Sequence, residues 1–244
     1  MRQNEYGLRL TRTDGDILAI SAGAIFDSSE AHRIVVPAAL TVDRTQDGGA
    51  GGVTDGYVSG AAPDNTLMHV WLGVGTSGHC AFLSTLKTGA TVPNGYDTYV
   101  RRIGAWPVAS GVFDTGYQTG TVRCREFRFI AYLWSFFLHS AALPLTYTLT
   151  NAIPRAGIAN MSYTIVKLGA KVNSAGAAST VLYLSGDGGN ETIESITIKG
   201  RDAYTNIELL MKPDSNDKLV YKGSAVTSTY MFIHCCGFID DLDE

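Results

Sequence analysis

The sequence predicts an all-β fold, a β-sandwich or jelly-roll-like arrangement in two β regions, and three observations lead there. Apolar and polar residues alternate at period two in short runs along the whole chain, while no stretch sustains a helical period. The 27 glycines against seven prolines supply turns in quantity. In the second half the runs are rich in β-branched and aromatic residues, which fit a pleated, half-buried surface.

Taken in order, Asp16-Ile17-Leu18-Ala19-Ile20 is the first clear strand, followed by Leu67 to Val74 and Ala81-Phe82-Leu83. Between the first two, Asp47-Gly48-Gly49-Ala50-Gly51-Gly52 is a flexible loop. Gly73-Val74-Gly75-Thr76-Ser77-Gly78 matches the G-x-G-x-x-G phosphate-loop pattern. The residues after it, His79 to Leu86, read as a second strand and not as the helix a dinucleotide site needs, so a hairpin turn is expected. Glu126 to Ser140 carries aromatics at 127, 129, 132, 134, 136 and 137. A helix there would be apolar all round, and a strand lying between two packed layers accounts for it better.

Pro144 and Pro154 flank Thr146 to Thr150 and place a boundary near residue 150. This gives an N-terminal β domain over 1–150 and a C-terminal β-sandwich domain over 151–244, the latter close to the size of a compact sandwich. Within the second part, Tyr163 to Leu168, Val181 to Leu184, Glu194 to Lys199, Ile207 to Leu210 and Tyr230 to His234 are strands. Polar loops such as Ser185 to Asn190 and Lys212 to Asp217 bound them, and Ser174 to Ser179 is a further short loop. No internal repeat is visible.

Composition narrows the function. Hydrophobic residues make up 45% and charged residues only 17%, as in a subunit that hides part of its exterior against copies of itself. A net charge of −4 argues against a nucleic-acid binder, which shows a clustered basic excess. No export signal is apparent, and the longest apolar run, Phe129 to Leu138, is about half of the roughly 20 residues needed to cross a bilayer. A soluble, cytoplasmically made product without membrane insertion is expected. Cys80, Cys124, Cys235 and Cys236 are then expected to be free, buried thiols, with the adjacent pair pointing to opposite faces of a strand.

Reaction chemistry is hard to find. His79-Cys80 and His234-Cys235-Cys236 offer soft ligands, but C-x-x-C and H-x-x-x-H spacings are lacking, so neither metal nor cofactor is expected. There is no G-x-S-x-G elbow. The carboxylates Asp240, Asp241, Asp243 and Glu244 read as a solvated acidic run and not as a glycosidase pair. No catalytic residue is assigned. Arg101 and Arg102 admit two uses if they lie in a strand, one facing inward and the other solvent. One would bind an anionic sugar or a lipopolysaccharide phosphate; the other would pair with a carboxylate or backbone carbonyls and fix the sheet or a subunit contact. The need to pair a buried charge favours the second. Tyr57, Tyr96, Trp106 and Tyr117, read as exposed on glycine-bounded loops, are candidate contacts for a glycan or a protein partner.

An ordered set of short motifs adds a resemblance. Leu10-Thr11 through Ile17 to Gly23 and then Asp27-Ser28 open it; Asn65 to Leu72 with His69-Val70 follows. Gly95-Tyr96 leads into Tyr99-Val100-Arg101-Arg102-Ile103-Gly104, then come Ile153-Pro154-Arg155-Ala156-Gly157-Ile158 and Gly237-Phe238-Ile239-Asp240. In this order they resemble a family of tailed-bacteriophage virion proteins labelled tail fibre or structural protein, whose members carry Tyr-Arg-Arg-Ile-Gly and Gly-Trp-Ile-Asp motifs. Two departures keep apolar character: Phe238 stands where the family has Trp, and Leu67-Met68 stand where it has Trp-Tyr. The resemblance implies structural roles for Arg101, Arg102, Gly104, Gly237, Phe238 and Asp240. It further implies a homotrimeric, non-enzymatic subunit located in the virion. Its partners would be other tail or capsid proteins, with a host-surface glycan as a candidate receptor and no nucleic acid. A capsid decoration or head-fibre protein is the alternative, and a glycan-degrading tail enzyme ranks below it because long repetitive β-helices are lacking.

Overall fold

The computed structural model describes residues 5–46, 49–54, 66–130, 135–139, 148–151, 163–172, 179–185, 194–199, 204–211, 218–223 and 229–242. Among these no residue is helical; the chain is all-β, with antiparallel sheets of the β-sandwich kind. It divides into two compact units, the first comprising 1–130 with 155–157 and 240–244, the second 131–154 with 158–239.

The first unit holds β1 (Tyr6–Gly7), β2 (Leu10–Arg12), β3 (Ile17–Ile20), β4 (Gly23–Phe26), β5 (Arg33–Val36), β6 (Leu40–Asp43), β7 (Thr66–Gly75), β8 (Gly78–Ser84), β9 (Tyr99–Ala109), β10 (Val112–Phe113), β11 (Gly116–Gly120) and β12 (Cys124–Phe129). Its sheets run β1-β4-β5, β2-β3-β6 and β10-β9-β7-β8, with β11 and β12 forming a hairpin. Alternation drives the small sheets: Leu18 and Ile20 are fully buried while Ile17 and Ala19 between them are only half-buried. In β7 and β9 the alternation disappears, because nearly every residue from Leu67 to Leu72 and from Arg101 to Ala109 is buried. Both faces of that sheet are covered, as in a strand between layers.

The expected hairpin at Gly73 to Gly78 is present. Gly75 pairs with Gly78, and Thr76-Ser77 make the two-residue turn. Gly78 has φ of +103°, a conformation that side chains with a Cβ avoid. A second tight turn joins β9 to β10, where Ala109 pairs with Val112 and both Ser110 and Gly111 have positive φ, as a type I′ hairpin requires. Midway along β9 the register slips: Val70 pairs with Gly104 but Trp71 pairs with Arg102, leaving Ile103 as the extra residue of a β-bulge.

The second unit contains β13 (Ser135–His139), β14 (Thr148–Asn151), β15 (Tyr163–Val172), β16 (Ser179–Ser185), β17 (Glu194–Lys199), β18 (Tyr204–Met211), β19 (Lys218–Gly223) and most of β20 (Thr229–Asp241). β20 pairs with β15, which pairs with β18, and β13 also pairs with β20; a separate sheet runs β14-β19-β16-β17. The aromatic stretch from Glu126 to Ser140 is extended wherever it is described, split between β12 and β13 by a bend at Ile130. β20 also carries a bulge, since Val166 pairs with Cys235 and Ile165 with Gly237. The Ile153 to Ile158 motif lies outside the described residues.

Candidate functional site

Two motifs far apart in the sequence each place a residue in the first unit. Arg102 on β9 and Asp240 at the end of β20 are separated by 138 residues. Arg102 Nη1 donates to Asp240 Oδ2 at 2.9 Å and Nη2 donates to Oδ1 at 2.8 Å, a bidentate fork of two charge-assisted hydrogen bonds. Asp240 is only 2% exposed. Arg102 Nη2 also donates to the Asp241 carbonyl at 3.4 Å, and Nη1 lies 3.4 Å from His69 Nδ1 on the neighbouring β7.

Arg101 enters a different network. Its Nη1 donates to Glu30 Oε1 at 3.0 Å and to the Asp27 carbonyl, and its Nη2 reaches the Leu242 carbonyl at 3.5 Å. Glu30 Oε2 accepts from Arg123 at 3.0 Å, and Arg123 in turn grips both oxygens of Glu5. Arg101, Glu30, Arg123 and Glu5 therefore form a row of alternating charges that ties β9 to the strand ends around it. Hydrogen bonding from Arg123 holds the Glu5 carboxyl below its ordinary value, outweighing the opposite push of burial. The amide of Leu242 donates to the Arg123 carbonyl at 2.8 Å, so backbone as well as side chains fix the segment after Asp240.

The loop presenting Glu30 is organised by Asp27. This buried carboxylate accepts from the amides of Ala31 and His32, from the Ser29 hydroxyl and from the His32 ring. Burial alone would raise its pKa, but these bonds together hold it below the ordinary value. Glu30 itself has φ of +61°, a strained conformation for a residue with a side chain, and its two ion pairs compensate.

One expectation about this site is corrected. Neither Arg101 nor Arg102 faces solvent, since they are 7% and 6% exposed. Alternation does send them to different partners, but both faces of β9 are covered, so each buried charge had to find its own carboxylate. Gly104 sits at the bulge with φ of +155°, and a Cβ there would lie 3.1 Å from Leu10 and 3.4 Å from the Arg125 side chain. Gly237 is buried and Phe238 is fully buried.

The aromatic candidates separate. Trp106 is not on an exposed loop: it lies within β9, is fully buried, packs edge-to-face on Phe127 at 4.8 Å and donates from its indole nitrogen to the Asp114 carbonyl. A buried indole needs such a partner, and it leaves no face for a ligand. Tyr96 is half-buried against the cluster of Trp71, Cys80 and Phe82. Tyr117 lies on β11 and is 49% exposed. Tyr57 lies outside the described residues. Among the thiols, Cys80 is free and buried, and burial pushes it up to about 11. Cys124 is free but exposed, because it occupies the first, solvent-facing position of β12; that corrects the expectation of burial. The side chains of Cys235 and Cys236 lie outside what the structure describes.

Sequence reasoning did not single out Glu5, Glu30, Arg123, Arg125 or Gln118. The roles of Glu5, Glu30, Arg123 and Gln118 depend on contacts across 71 to 118 residues, which no local pattern announces, and Arg125 is tied to them through Gln118. No protein-family model matches the chain, and no curated protein is significantly similar to it.

Proposed function

We propose that this chain is a non-enzymatic structural protein of a tailed-bacteriophage virion, part of a tail fibre, spike or baseplate appendage that serves attachment to the host surface or tail assembly. The observation that carries the reading is the Arg102–Asp240 pair. Two motifs of the resemblance, Tyr99 to Gly104 and Gly237 to Asp240, supply partners to one buried fork. Residues that would otherwise suggest ligand chemistry are used up in holding strands together, which fits a load-transmitting part. The all-β architecture and the low proportion of charged residues agree with a subunit that packs against copies of itself, and a homotrimer is the assembly we propose.

The test is location and copy number. Quantitative mass spectrometry of purified particles from the producing phage, with gold labelling of this chain in electron micrographs, should show it in the tail at tens of copies or fewer. Hundreds of copies on the head would make it a capsid decoration or head-fibre protein, and absence from the particle would reject the virion reading. Light scattering of the purified protein should give the mass of three 26.1 kDa chains.

A further inference from the structure

The first unit contains a cleft of about 760 Å³ between the β2–β3 strands and the β11–β12 hairpin. Its volume falls within the range of small-molecule sites, roughly 300–1,000 Å³. Three side chains give it character: Arg125 and Arg9, both cationic, and Tyr6, a residue 55% exposed whose ring has the Arg33 guanidinium 6.0 Å from its centroid and is open elsewhere to a ligand.

Arg125 is the unusual member. It is 4% exposed, its Nε donates to the Val122 carbonyl at 3.2 Å and its Nη1 to Gln118 Oε1 at 3.3 Å. Gln118 is anchored in turn by the Leu10 amide and the Ala105 carbonyl, so the guanidinium is held in place from behind. Its Nη2 is buried and has no hydrogen-bond partner. A buried donor on a charged group left without an acceptor is costly, and such a group needs an explanation. The carboxylate whose charge acts on it, Asp240, is already committed to Arg102, and Glu5, a carboxylate lining the cleft, is committed to Arg123. Burial and the neighbouring Arg9 charge pull Arg125 down to about 10, against the upward pull of Asp240, so it remains a cation at neutral pH.

We propose that this cleft binds an anionic monosaccharide unit, its carboxylate or phosphate accepting from Arg9 and, once the Arg125 guanidinium turns toward the cleft and uncovers its buried Nη2, from Arg125, while its ring packs on Tyr6. A planar guanidinium suits either oxyanion, and an exposed tyrosine beside it supplies apolar area for a sugar ring. The biological meaning rests on the host-attachment reading, but binding does not: the cleft is tested in solution with purified protein, whatever particle location proves to be.

The experiment is NMR or calorimetric titration of the full chain with galacturonate, glucose 6-phosphate, galactose, acetate and inorganic phosphate. Saturable binding of galacturonate, glucose 6-phosphate or both, with shifts at residues 5–11 and 118–125, is expected, and which sugar binds tells carboxylate from phosphate. Arg9→Ala, a change at an exposed position, should weaken that binding about tenfold, as loss of a charge-assisted hydrogen bond does. Tyr6→Ala should weaken it about threefold. Arg125→Lys, which keeps charge but not the fork, should abolish it; if that variant fails to fold, the Arg9 and Tyr6 variants decide. Equal responses to acetate or phosphate alone would mean an adventitious ion only and would overturn the proposal. So would galactose binding as well as the acids, the absence of any saturable shift, or affinities indifferent to Arg9 and Tyr6.

Discussion

Asp240→Asn is the sharpest probe of how this chain is held. The substitution keeps the side chain's size and removes its charge. One oxygen can still accept from Arg102, but the new amide group points a donor at a donor. Arg102 then keeps only one of its two bonds at 2.8 and 2.9 Å, beside the Asp241 carbonyl and His69, both at 3.4 Å, and its positive charge has lost its counter-ion. Because Asp240 is 2% exposed, water cannot easily replace what is lost. Removing one partner of such a buried pair costs about 3–5 kcal/mol. For a protein of this length that corresponds to a fall in Tm of roughly 6–20 °C. Urea unfolding followed by tryptophan fluorescence reads the first unit, where Trp71 and Trp106 are buried, once Trp134 of the second unit is replaced by Phe. Replacing both partners, Arg102→Met with Asp240→Leu, should recover most of the loss, because no charge is then stranded. A cost below about 1 kcal/mol for Asp240→Asn, or a double variant worse than the single, would refute the assignment of the pair as a buried, dry ion pair.

Three further outcomes are expected. Gly104→Ala should destabilise the first unit by about 1–3 kcal/mol in the same urea assay, since the bulge needs a φ of +155° and the new methyl would press on Leu10. Site-resolved iodoacetamide labelling at pH 8 should modify Cys124 in the native protein and spare Cys80, whose thiol is buried and pushed up to about 11; equal labelling of both would contradict the packing around Trp71 and Phe82. Glu5 and Asp27 are both held below their ordinary values of 4.5 and 3.8. The stability they lend is therefore present above those values and drains away as pH falls through the lower folded ones. Glu5→Gln should lower stability at pH 7 and flatten the acid limb of the fluorescence titration, and an unchanged acid limb would show that Glu5 contributes nothing to it.

Strand positions were legible where local alternation was enough. Glu194 to Lys199 is β17 to the residue, because apolar Ile196 and Ile198 stand between polar neighbours. β9 was not legible as a strand: the sequence places Arg101 and Arg102 in one only conditionally, and Trp106 reads as lying on a loop. A glycine followed by Trp106-Pro107 reads as a loop, since proline lacks an amide and glycine weakens strands. In the structure the glycine is a bulge, Pro107 pairs with Leu67, and the strand continues to Ala109. Trp106 was misplaced for the same reason. At the ionic site, the requirement that Arg101 and Arg102 be paired follows from the cost of burying charge, but the identity of the partners does not. Glu30 sits on an Asp27-organised loop and Asp240 arrives from the far end of the chain, and neither position is implied by spacing near Arg102.

The carboxylate that pairs Arg102 in the first unit comes from residue 240, although the unit's other strands are complete by Phe129. During synthesis, then, the nascent amino-terminal half holds Arg102 with no counter-ion until almost every codon of this sequence has been read. Completion of that half is thereby tied to an intact downstream message: a polypeptide truncated before Asp240 would carry a stranded guanidinium in its interior, and would be a ready substrate for cellular proteases and not a defective building block.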